Sequence, residues 1–273
     1  LVIHLDYLAT LDANSDRIIT NTAEGDSLNV TSDMLLANDA GSSHTTVDNV
    51  ISGPETDITT TSEGITLTDI ADGDSFLYEI SADGVTDSAR VEVVRTDAEQ
   101  LRGTSGDDIL INTKETLSDA SPALYGEEGD DYLKGGNADE LLDGGEGRDT
   151  IDAGDGDDTI VFDRADAHID GGNGLDTLLI ADEVLDFSVL RNGTIENIER
   201  IDLSGSTGQR VSLTLDDVLD MTGEEHVLEV RGGADDTVAI DVTGWTQVEN
   251  NSGLFSKGGD TVSIVSSALP PLR

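Results

Sequence analysis

The chain has no cysteine and few basic residues. Because none of its 273 residues is cysteine, disulfides cannot stabilise a secreted form, and bound metal ions are the available substitute. Its 14 Lys and Arg residues stand against 58 Asp and Glu residues, which gives a formal net charge of −44. This imbalance excludes nucleic acid as a natural partner, since phosphate recognition depends on Lys and Arg, and it disfavours anionic membrane surfaces.

Aromatic residues and long apolar runs are scarce as well. No run approaches the roughly 18 apolar residues of a membrane-spanning helix, so we expect no direct membrane insertion. No signal peptide is visible, and the start at Leu1 leads us to expect a fragment of a longer protein. With 3% aromatic residues, any core must consist mainly of Val, Ile and Leu. β-Branched residues are abundant and helix signals few, which predicts an all-β fold.

Residues 126–179 repeat with a period of nine. Most units fit the pattern Gly-Gly-x-Gly-x-Asp-x-Φ-x, in which Φ is a large aliphatic residue. The Gly- and Asp-rich half favours turns, and the aliphatic residue favours a short strand that buries one side chain. Such units are stable only when they stack, which predicts a parallel solenoid; a disordered acidic linker would not keep this period. The units begin at Gly126, Gly135, Gly144, Ala153, Phe162 and Gly171, and their aliphatic residues are Leu133, Leu142, Ile151, Ile160, Ile169 and Leu178.

Stacking of these units brings acidic residues into register. Carboxylates within a few ångströms of one another cannot all stay ionised without a counter-ion. Ca²⁺ accepts about six to eight oxygen ligands in flexible geometry, whereas Mg²⁺ requires a tighter octahedral arrangement. The repeats therefore predict several bound Ca²⁺ ions at the turns. The residues at the sixth position are Asp131, Glu140, Asp149, Asp158, Ala167 and Asp176.

The repeat resembles the calcium-binding nonapeptides of RTX proteins. The resemblance implies that two units form one turn of a parallel β-roll, with ions between residues two repeat periods apart. One edge pairs Asp131 with Asp149, and the other pairs Asp158 with both Glu140 and Asp176. Carbonyl ligands are implied at Glu128, Asp130, Asn137, Asp139, Glu146, Arg148, Asp155 and Asp157, and the predicted metal-binding set also contains Gly126, Gly144 and Asn173.

Three units depart from the pattern. The unit at Gly135 has Glu140 in place of aspartate, which predicts a weaker site. The unit at Phe162 has neither glycine nor acid at the ligand positions, so we expect no ion beside Ala167. An outlying unit at Gly103 is out of phase with the others. It predicts a further ligand at Asp108 and a loop over residues 112–124.

Residues 1–96 are expected to form an immunoglobulin-like β-sandwich, near the ~100 residues typical of that architecture. Alternation predicts strands over 75–80 and 89–93, and stretches 25–30, 35–39 and 74–78 resemble the cadherin-like modules of bacterial surface adhesins. Asp12, Asn14 and Asp16 have the alternate spacing of the first half of an EF-hand loop, although Arg17 replaces its glycine. A solvated start of the module and an inter-domain Ca²⁺ site are both compatible with this spacing.

Residues 97–180 are assigned to the β-roll and 181–273 to a β-rich segment that caps it. Strands are predicted over 195–203 and 211–215, followed by a short helix over 216–221 with Thr214 as its N-cap. An open solenoid end exposes apolar surface and unpaired strand groups, so a cap is required. Stretches 198–203, 215–219 and 244–245 resemble the C-terminal region of type I-secreted RTX adhesins.

Catalytic motifs are missing from the sequence. His4, His44, His168 and His226 are never paired at metal-ligand spacing, and neither HExxH, GxSxG nor a phosphate-binding loop is present. We therefore expect a non-enzyme: a calcium-dependent folding and structural module of a secreted bacterial adhesin, monomeric within a longer chain. A module that binds a cell-surface sugar or peptide, and the non-catalytic tail of an RTX enzyme, remain alternatives.

Overall fold

The computed structural model describes residues 11–23, 25–40, 45–51, 57–61, 63–114, 122–181, 184–205, 208–223, 226–248, 253–258 and 260–267. Within them the chain is all-β, as predicted, with two short α-helices, α1 (Ser32–Leu35) and α2 (Leu215–Met221), and a 3₁₀ turn at Phe187–Val189. The strands are β1 (Asp16–Thr20), β2 (Leu28–Thr31), β3 (Thr46–Ile51), β4 (Asp57–Thr60), β5 (Gly64–Thr68), β6 (Ser75–Ala82), β7 (Val85–Arg95), β8 (Gln100–Arg102), β9 (Asp108–Ile111), β10 (Ala123–Glu128), β11 (Tyr132–Lys134), β12 (Leu141–Glu146), β13 (Thr150–Asp152), β14 (Thr159–Phe162), β15 (His168–Asp170), β16 (Thr177–Ile180), β17 (Val184–Asp186), β18 (Ile195–Glu196), β19 (Arg200–Asp202), β20 (Arg210–Thr214), β21 (Val227–Arg231), β22 (Thr237–Asp241), β23 (Thr246–Gln247), β24 (Leu254–Lys257) and β25 (Asp260–Ser267).

The nonapeptide units alternate between two parallel sheets. Strands β10, β12, β14 and β16 are neighbours in one sheet, and β9, β11, β13 and β15 are neighbours in the other. Each aliphatic residue therefore pairs with the one two units away, as Leu142 does with Ile160 and Leu133 with Ile151. All six predicted aliphatic residues are fully buried in one core between the sheets, which confirms their inward orientation.

The loop predicted over residues 112–124 was wrong at its C-terminal end. Ala123 and Leu124 belong to β10, where Leu124 pairs with Leu142 on one side and Leu101 on the other. Leu124 lies one repeat period before Leu133, so the aliphatic period extends further upstream than the glycine pattern. Residues 115–121 lie outside the described part of the chain.

The two roll sheets continue past residue 180 without a break in hydrogen bonding. Ile195 pairs with Ile169, Ile201 pairs with Leu178, and Val230 pairs with Ile201. Alongside them, β17, β20 and β22 form a separate parallel sheet. The predicted capping segment thus extends the roll with longer, irregular connections.

Helix α2 confirms the predicted N-cap at Thr214. The Thr214 hydroxyl accepts from the Asp217 amide at 3.0 Å, and the Asp217 carboxylate accepts from the Thr214 amide at 2.6 Å. This reciprocal capping box stabilises the first turn. The helix buries Leu215, Val218 and Met221 against the roll core.

The N-terminal module contains a second core. The antiparallel sheet β2-β5-β4 and strands β1, β7, β6 and β3 of the larger sheet contribute to this core. Phe76, Tyr78 and Ile80 are buried on one face of β6, as the alternating pattern predicts. Strands β6 and β7 form a hairpin whose turn residues Asp83 and Gly84 both have positive φ.

One sheet joins the N-terminal module to the roll. Strand β1 pairs in parallel with β7 of the module on one side and with β9 of the roll on the other. Side chains alternate between the two cores: Ile18 and Ile109 enter the module core, whereas Ile19 and Leu110 enter the roll core. The predicted division near residue 96 is therefore crossed by a continuous hydrogen-bonded ladder.

Candidate calcium-binding turns

The sixth-position carboxylates stack in columns along the two edges of the roll. On one edge, the Asp131 amide donates to Asp149 Oδ1 at 2.9 Å. On the other, the Glu140 amide donates to Asp158 Oδ1 at 2.7 Å and the Asp158 amide to Asp176 Oδ1 at 2.8 Å. Partners in each pair are separated by 18 residues, so the structure brings together the pairs that the sequence predicts.

The second oxygen of these aspartates has no partner. Asp131, Asp149, Asp158 and Asp176 are almost completely buried, and the Oδ2 atom of each is inaccessible to solvent and accepts no hydrogen bond. A buried carboxylate oxygen without a partner costs folding free energy. The same atom is unpartnered in every one of these turns, which fits a ligand position for a cation with a preference for oxygen.

The electrostatic environment fits the same chemistry. Burial raises the pKa of Asp131 and Asp158 to about 8 and that of Asp176 to about 7, and neighbouring acids add to the effect. Burial likewise raises the pKa of Asp149 to about 6. In the absence of a cation, these surroundings therefore favour the protonated form of Asp131 and Asp158. A divalent ion favours the ionised forms and displaces these protons.

The first-position glycines allow the backbone to approach these carboxylates. A Cβ atom at Gly126 would lie 2.3 Å from Asp131 Oδ2, and one at Gly144 would lie 2.3 Å from Asp149 Oδ2. Neither distance is compatible with a side chain, so only glycine fits at these positions. Both glycines belong to the predicted metal-binding set.

The other predicted ligand residues lie at the outer rim of the turns. Glu146 O accepts from the Gly129 amide at 2.9 Å, and Asn173 O from the Gly156 amide at 2.9 Å, so these carbonyl groups contact the adjacent turn. Side chains near the fifth position also link adjacent turns. Asp130 Oδ1, for example, accepts a hydrogen bond from the Arg148 amide at 2.8 Å. The rim residues are Glu128, Asp130, Asn137, Asp139, Glu146, Arg148, Asp155, Asp157 and Asn173, of which only Asp130 is half-buried and the rest are exposed.

Glu140 differs from the aspartates in its column. Its Oε1 accepts from Asn112 Nδ2 at 2.7 Å and its Oε2 from the Gly136 amide at 3.2 Å, so both oxygens have protein partners. Asn112 in turn accepts from Asn21 Nδ2 at 2.6 Å, which links this turn to the N-terminal module. The weaker site expected at Glu140 stays a prediction.

Asp108 extends the Asp131 column by one turn. Its amide donates to Asp131 Oδ1 at 2.7 Å, and its own Oδ2 accepts from the amide and hydroxyl of Thr104 at 2.6 and 2.8 Å. The outlying unit at Gly103 therefore stacks on the ladder despite its shifted phase. Its separation of 23 residues from Asp131 reflects the longer connection between the two turns.

Two acidic residues near these turns were not predicted from the sequence. Asp166 lies one position before Ala167, is buried, and has an unpartnered Oδ1, while its Oδ2 accepts from the Asp163 amide at 3.0 Å. Glu199 Oε2 accepts from the Asp176 amide at 3.0 Å and so continues the other column. Asp166 could have been found, because an acidic residue one position before the expected ligand position is visible in the sequence. Glu199 could not, because it follows a connection that does not keep the nine-residue period. The absence of an ion beside Ala167 stays a prediction.

The histidines do not form a site in the described residues. His4 and His44 lie outside them. His168 is half-buried on β15, where Nδ1 lies 3.0 Å from Gly193 O, and His226 has no metal-ligating cluster around it. Among the described residues, no group of three or more Asp, Glu, His or Cys side chains converges on one point. An ion at these turns therefore needs ligands besides carboxylate and imidazole side chains, and the backbone carbonyl groups of the turns are candidates.

Comparison with known proteins identifies these turns. A family model described as the RTX calcium-binding nonapeptide repeat (4 copies) matches residues 123–138 and 134–166. The chain carries RTX-type calcium-binding repeats. The match covers part of the β-roll and neither of the flanking segments. No curated protein and no solved structure matches the chain. No helix in the described part of the chain is long and apolar enough to span a bilayer.

Proposed function

We propose that this chain is a non-catalytic, calcium-dependent folding and structural module of a secreted bacterial RTX protein, and specifically of a cell-surface adhesin. The observation that carries the calcium part is the set of buried, unpartnered Oδ2 atoms of Asp131, Asp149, Asp158 and Asp176. Each lies on a turn where a partner aspartate and backbone carbonyl groups stack against it. Ca²⁺ is the hard dication whose flexible oxygen coordination suits such turns.

Calcium concentration sets the folded state in this proposal. At low cytosolic calcium, burial of the aspartates as ions is unfavourable, and the chain stays unfolded and competent for type I export. Extracellular calcium modules bind at roughly 10⁻⁴–10⁻³ M, and a tenfold excess over Kd stabilises the folded state by about 1.4 kcal/mol per ion. Four such ions contribute about 6 kcal/mol, comparable to the lower end of the ~5–15 kcal/mol stability of a domain.

The adhesin assignment is supported by the N-terminal module. Its two layers of mainly antiparallel strands precede the roll directly and share a sheet with it through β1. A module of this kind transmits force along the chain to the roll without an intervening flexible linker. Its resemblance to cadherin-like adhesin modules rests on the sequence alone.

Thermal unfolding with and without chelator tests the proposal. We expect EDTA to lower the melting temperature, or to abolish the β signal in circular dichroism, and excess Ca²⁺ to restore it. Mg²⁺ at the same concentration should restore it poorly. Trp245, whose indole Nε1 donates to Asp216 at 3.1 Å, gives a fluorescence signal from the segment that follows the repeats. A melting curve unchanged by EDTA would refute the proposal.

A further inference from the structure

An oxygen-rich cluster lies at the start of the N-terminal module, outside the repeats. The Tyr78 hydroxyl lies 2.9 Å from the Asn14 carbonyl oxygen, 2.9 Å from Asp39 Oδ2 and 3.2 Å from the Leu35 carbonyl oxygen. A phenol has one proton, so it cannot satisfy three acceptors. At most one of these three acceptor oxygens therefore receives the full hydrogen bond of the Tyr78 hydroxyl, and the others face its oxygen without a proton between them.

Asp16 brings a second carboxylate into this cluster. It is 5% exposed, and its Oδ2 is inaccessible to solvent and has no hydrogen-bond partner. Burial raises the pKa of Asp16 to about 8, although the nearby Tyr78 and Asn38 side chains oppose the shift. The side-chain oxygen and nitrogen of Asn38 are inaccessible to solvent and make no short hydrogen bond, yet this side chain lies close enough to Asp16 to act on its carboxyl group. Unpartnered polar atoms from two chain segments thus face the same place.

The charges that act on this cluster are acidic. Asp107 raises the pKa of Asp16, and Asp12 and Asp87 raise that of Asp39, in each case after the larger effect of burial. Two basic side chains that line the same cleft as Asp16 have partners elsewhere. Arg17 pairs with Glu92 at 3.3 Å, and Arg90 donates to Ser75 at 2.9 Å. The two carboxylates are therefore not neutralised by a described basic side chain.

We infer that Asp16 and Asp39, together with the carbonyl oxygens of Asn14 and Leu35, the Asn38 side chain and the Tyr78 hydroxyl, bind one divalent cation of the Ca²⁺ class. Two carboxylates match the charge of a dication, and neutral carbonyl, amide and hydroxyl oxygens complete a coordination of the size that Ca²⁺ accepts. The EF-hand-like spacing of Asp12, Asn14 and Asp16 does not form the site. Asp12 pairs instead with Ala40 through its backbone, and Asn14 contributes its carbonyl group.

The position of this cation gives it a structural role. Asp16 is the first residue of β1, the strand that joins the module to the roll, and Asp107 of the first roll turn lies close enough to act on it. An ion here fixes the start of β1 against the loop after α1. The site does not rest on the proposed function of the roll, because none of its ligands belongs to a repeat.

Ion counting by native mass spectrometry on the full chain tests this inference. In Ca²⁺, we expect Asp16→Asn and Asp39→Asn each to bind one ion fewer than the wild-type chain. Asp83→Asn removes an equal charge from an exposed turn of the same module and should bind the wild-type number. Asp149→Asn should lose ions from the roll while retaining the ion at Asp16.

A milder variant covers the case in which Asp16→Asn does not fold. Tyr78→Phe keeps both carboxylates, and we expect it to weaken one calcium-binding step by about tenfold. The alternative occupant is a proton on Asp16. In that case Asp16→Asn retains the wild-type ion count and Tyr78→Phe leaves every binding step unchanged, which would overturn the inference. If Asp149→Asn binds fewer ions than the wild-type chain while Asp16→Asn binds the same number, this inference fails and the proposed function stands. If the wild-type chain binds no calcium, both fail.

Discussion

At the residue scale, the two oxygens of a sixth-position aspartate have different roles. In Asp149, Oδ1 accepts a backbone hydrogen bond from the adjacent turn, while Oδ2 has no protein partner. The first contact fixes the side chain, so that the second oxygen is held in place before an ion arrives. Such preorganisation lowers the entropy cost of binding.

Replacement of Asp158 by Asn separates these two roles. Asn keeps an acceptor for the Glu140 amide but replaces Oδ2 with a nitrogen that cannot bind a cation. In Ca²⁺ we expect unfolding free energy to fall by about 1–3 kcal/mol, the cost of a lost buried polar interaction. In EDTA we expect the variant to be the more stable of the two chains, because it lacks the buried carboxyl group at position 158. Chemical denaturation measures the unfolding free energy in Ca²⁺ and in EDTA, and Asp83→Asn is the control at an exposed position. If the control lost as much unfolding free energy in Ca²⁺ as Asp158→Asn, the role of Asp158 would be refuted.

The raised pKa values predict an unusual pH dependence for the calcium-free chain. In Asp131 and Asp158 the folded-state pKa is about 8, against an ordinary value of 3.8. Between these values the folded state binds more protons than the unfolded state, so unfolding free energy decreases as pH rises. We expect the chelated protein to melt at a higher temperature at pH 5.5 than at pH 8.

Calcium should invert that dependence. Protons compete with the ion for the same carboxylates, so the stabilisation by Ca²⁺ is largest at pH 8 and declines on acidification. Melting curves at both pH values, with EDTA and with excess Ca²⁺, measure the two trends. A calcium increment that is independent of pH would contradict the assignment of these aspartates as ligands.

At the scale of the element, each unit combines a strand with a turn, and in the units at Gly126 and Gly144 the carboxylate of the turn leaves no room for a Cβ atom at the first position. Gly144→Ala places a methyl group 2.3 Å from Asp149 Oδ2, so the carboxylate must move. We expect weaker calcium binding and a loss of about 1–3 kcal/mol in stability, typical of overpacking. Gly106→Ala is the matched control, since a Cβ there has no atom within 4 Å. Calorimetric titration measures the calcium affinity of both variants, and thermal melting measures their stability. Equal affinity and equal stability of the two variants would refute the steric explanation.

The sequence predicts single elements better than their partners. The inward aliphatic residues, the buried face of β6 and the Thr214 cap follow from local periodicity and capping chemistry, and all are confirmed. Leu124 was missed because its unit keeps the aliphatic residue but not the glycines. Asp166 was missed because its acid lies one position from the expected place. The spacing of Asp12, Asn14 and Asp16 allows an ion near the start of β1, but Asp39 and Tyr78 join this cluster from distant parts of the sequence, which no local pattern indicates.

At the scale of the whole molecule, a sheet continuous through β1 couples the module to the roll. The Thr20 hydroxyl donates to Ile111 O at 3.0 Å, and Asn21 contacts Asn112, so the junction has side-chain as well as ladder contacts. This pairing of β1 between β7 and β9 could not be predicted from the sequence, because both partners lie far along the chain. Calcium removal should therefore affect a strand that contains no repeat.

Hydrogen–deuterium exchange tests this coupling. We expect EDTA to increase exchange in β9 and β11 and also in β1, because β1 shares its hydrogen bonds with β9. Strands β2 and β5, which belong to a separate sheet, provide the internal control and should change least. Unaltered protection of β1 in EDTA would show that the two parts unfold independently.

A crystal structure of the chain grown in millimolar Ca²⁺ is the most direct test of calcium binding by the roll. Calcium scatters anomalously, so its positions can be assigned independently of water. We expect ions at about 2.3–2.6 Å from Oδ2 of Asp131, Asp149, Asp158 and Asp176, with carbonyl oxygens of the turns as further ligands. Ordered turns with no anomalous density beside these four atoms would contradict it.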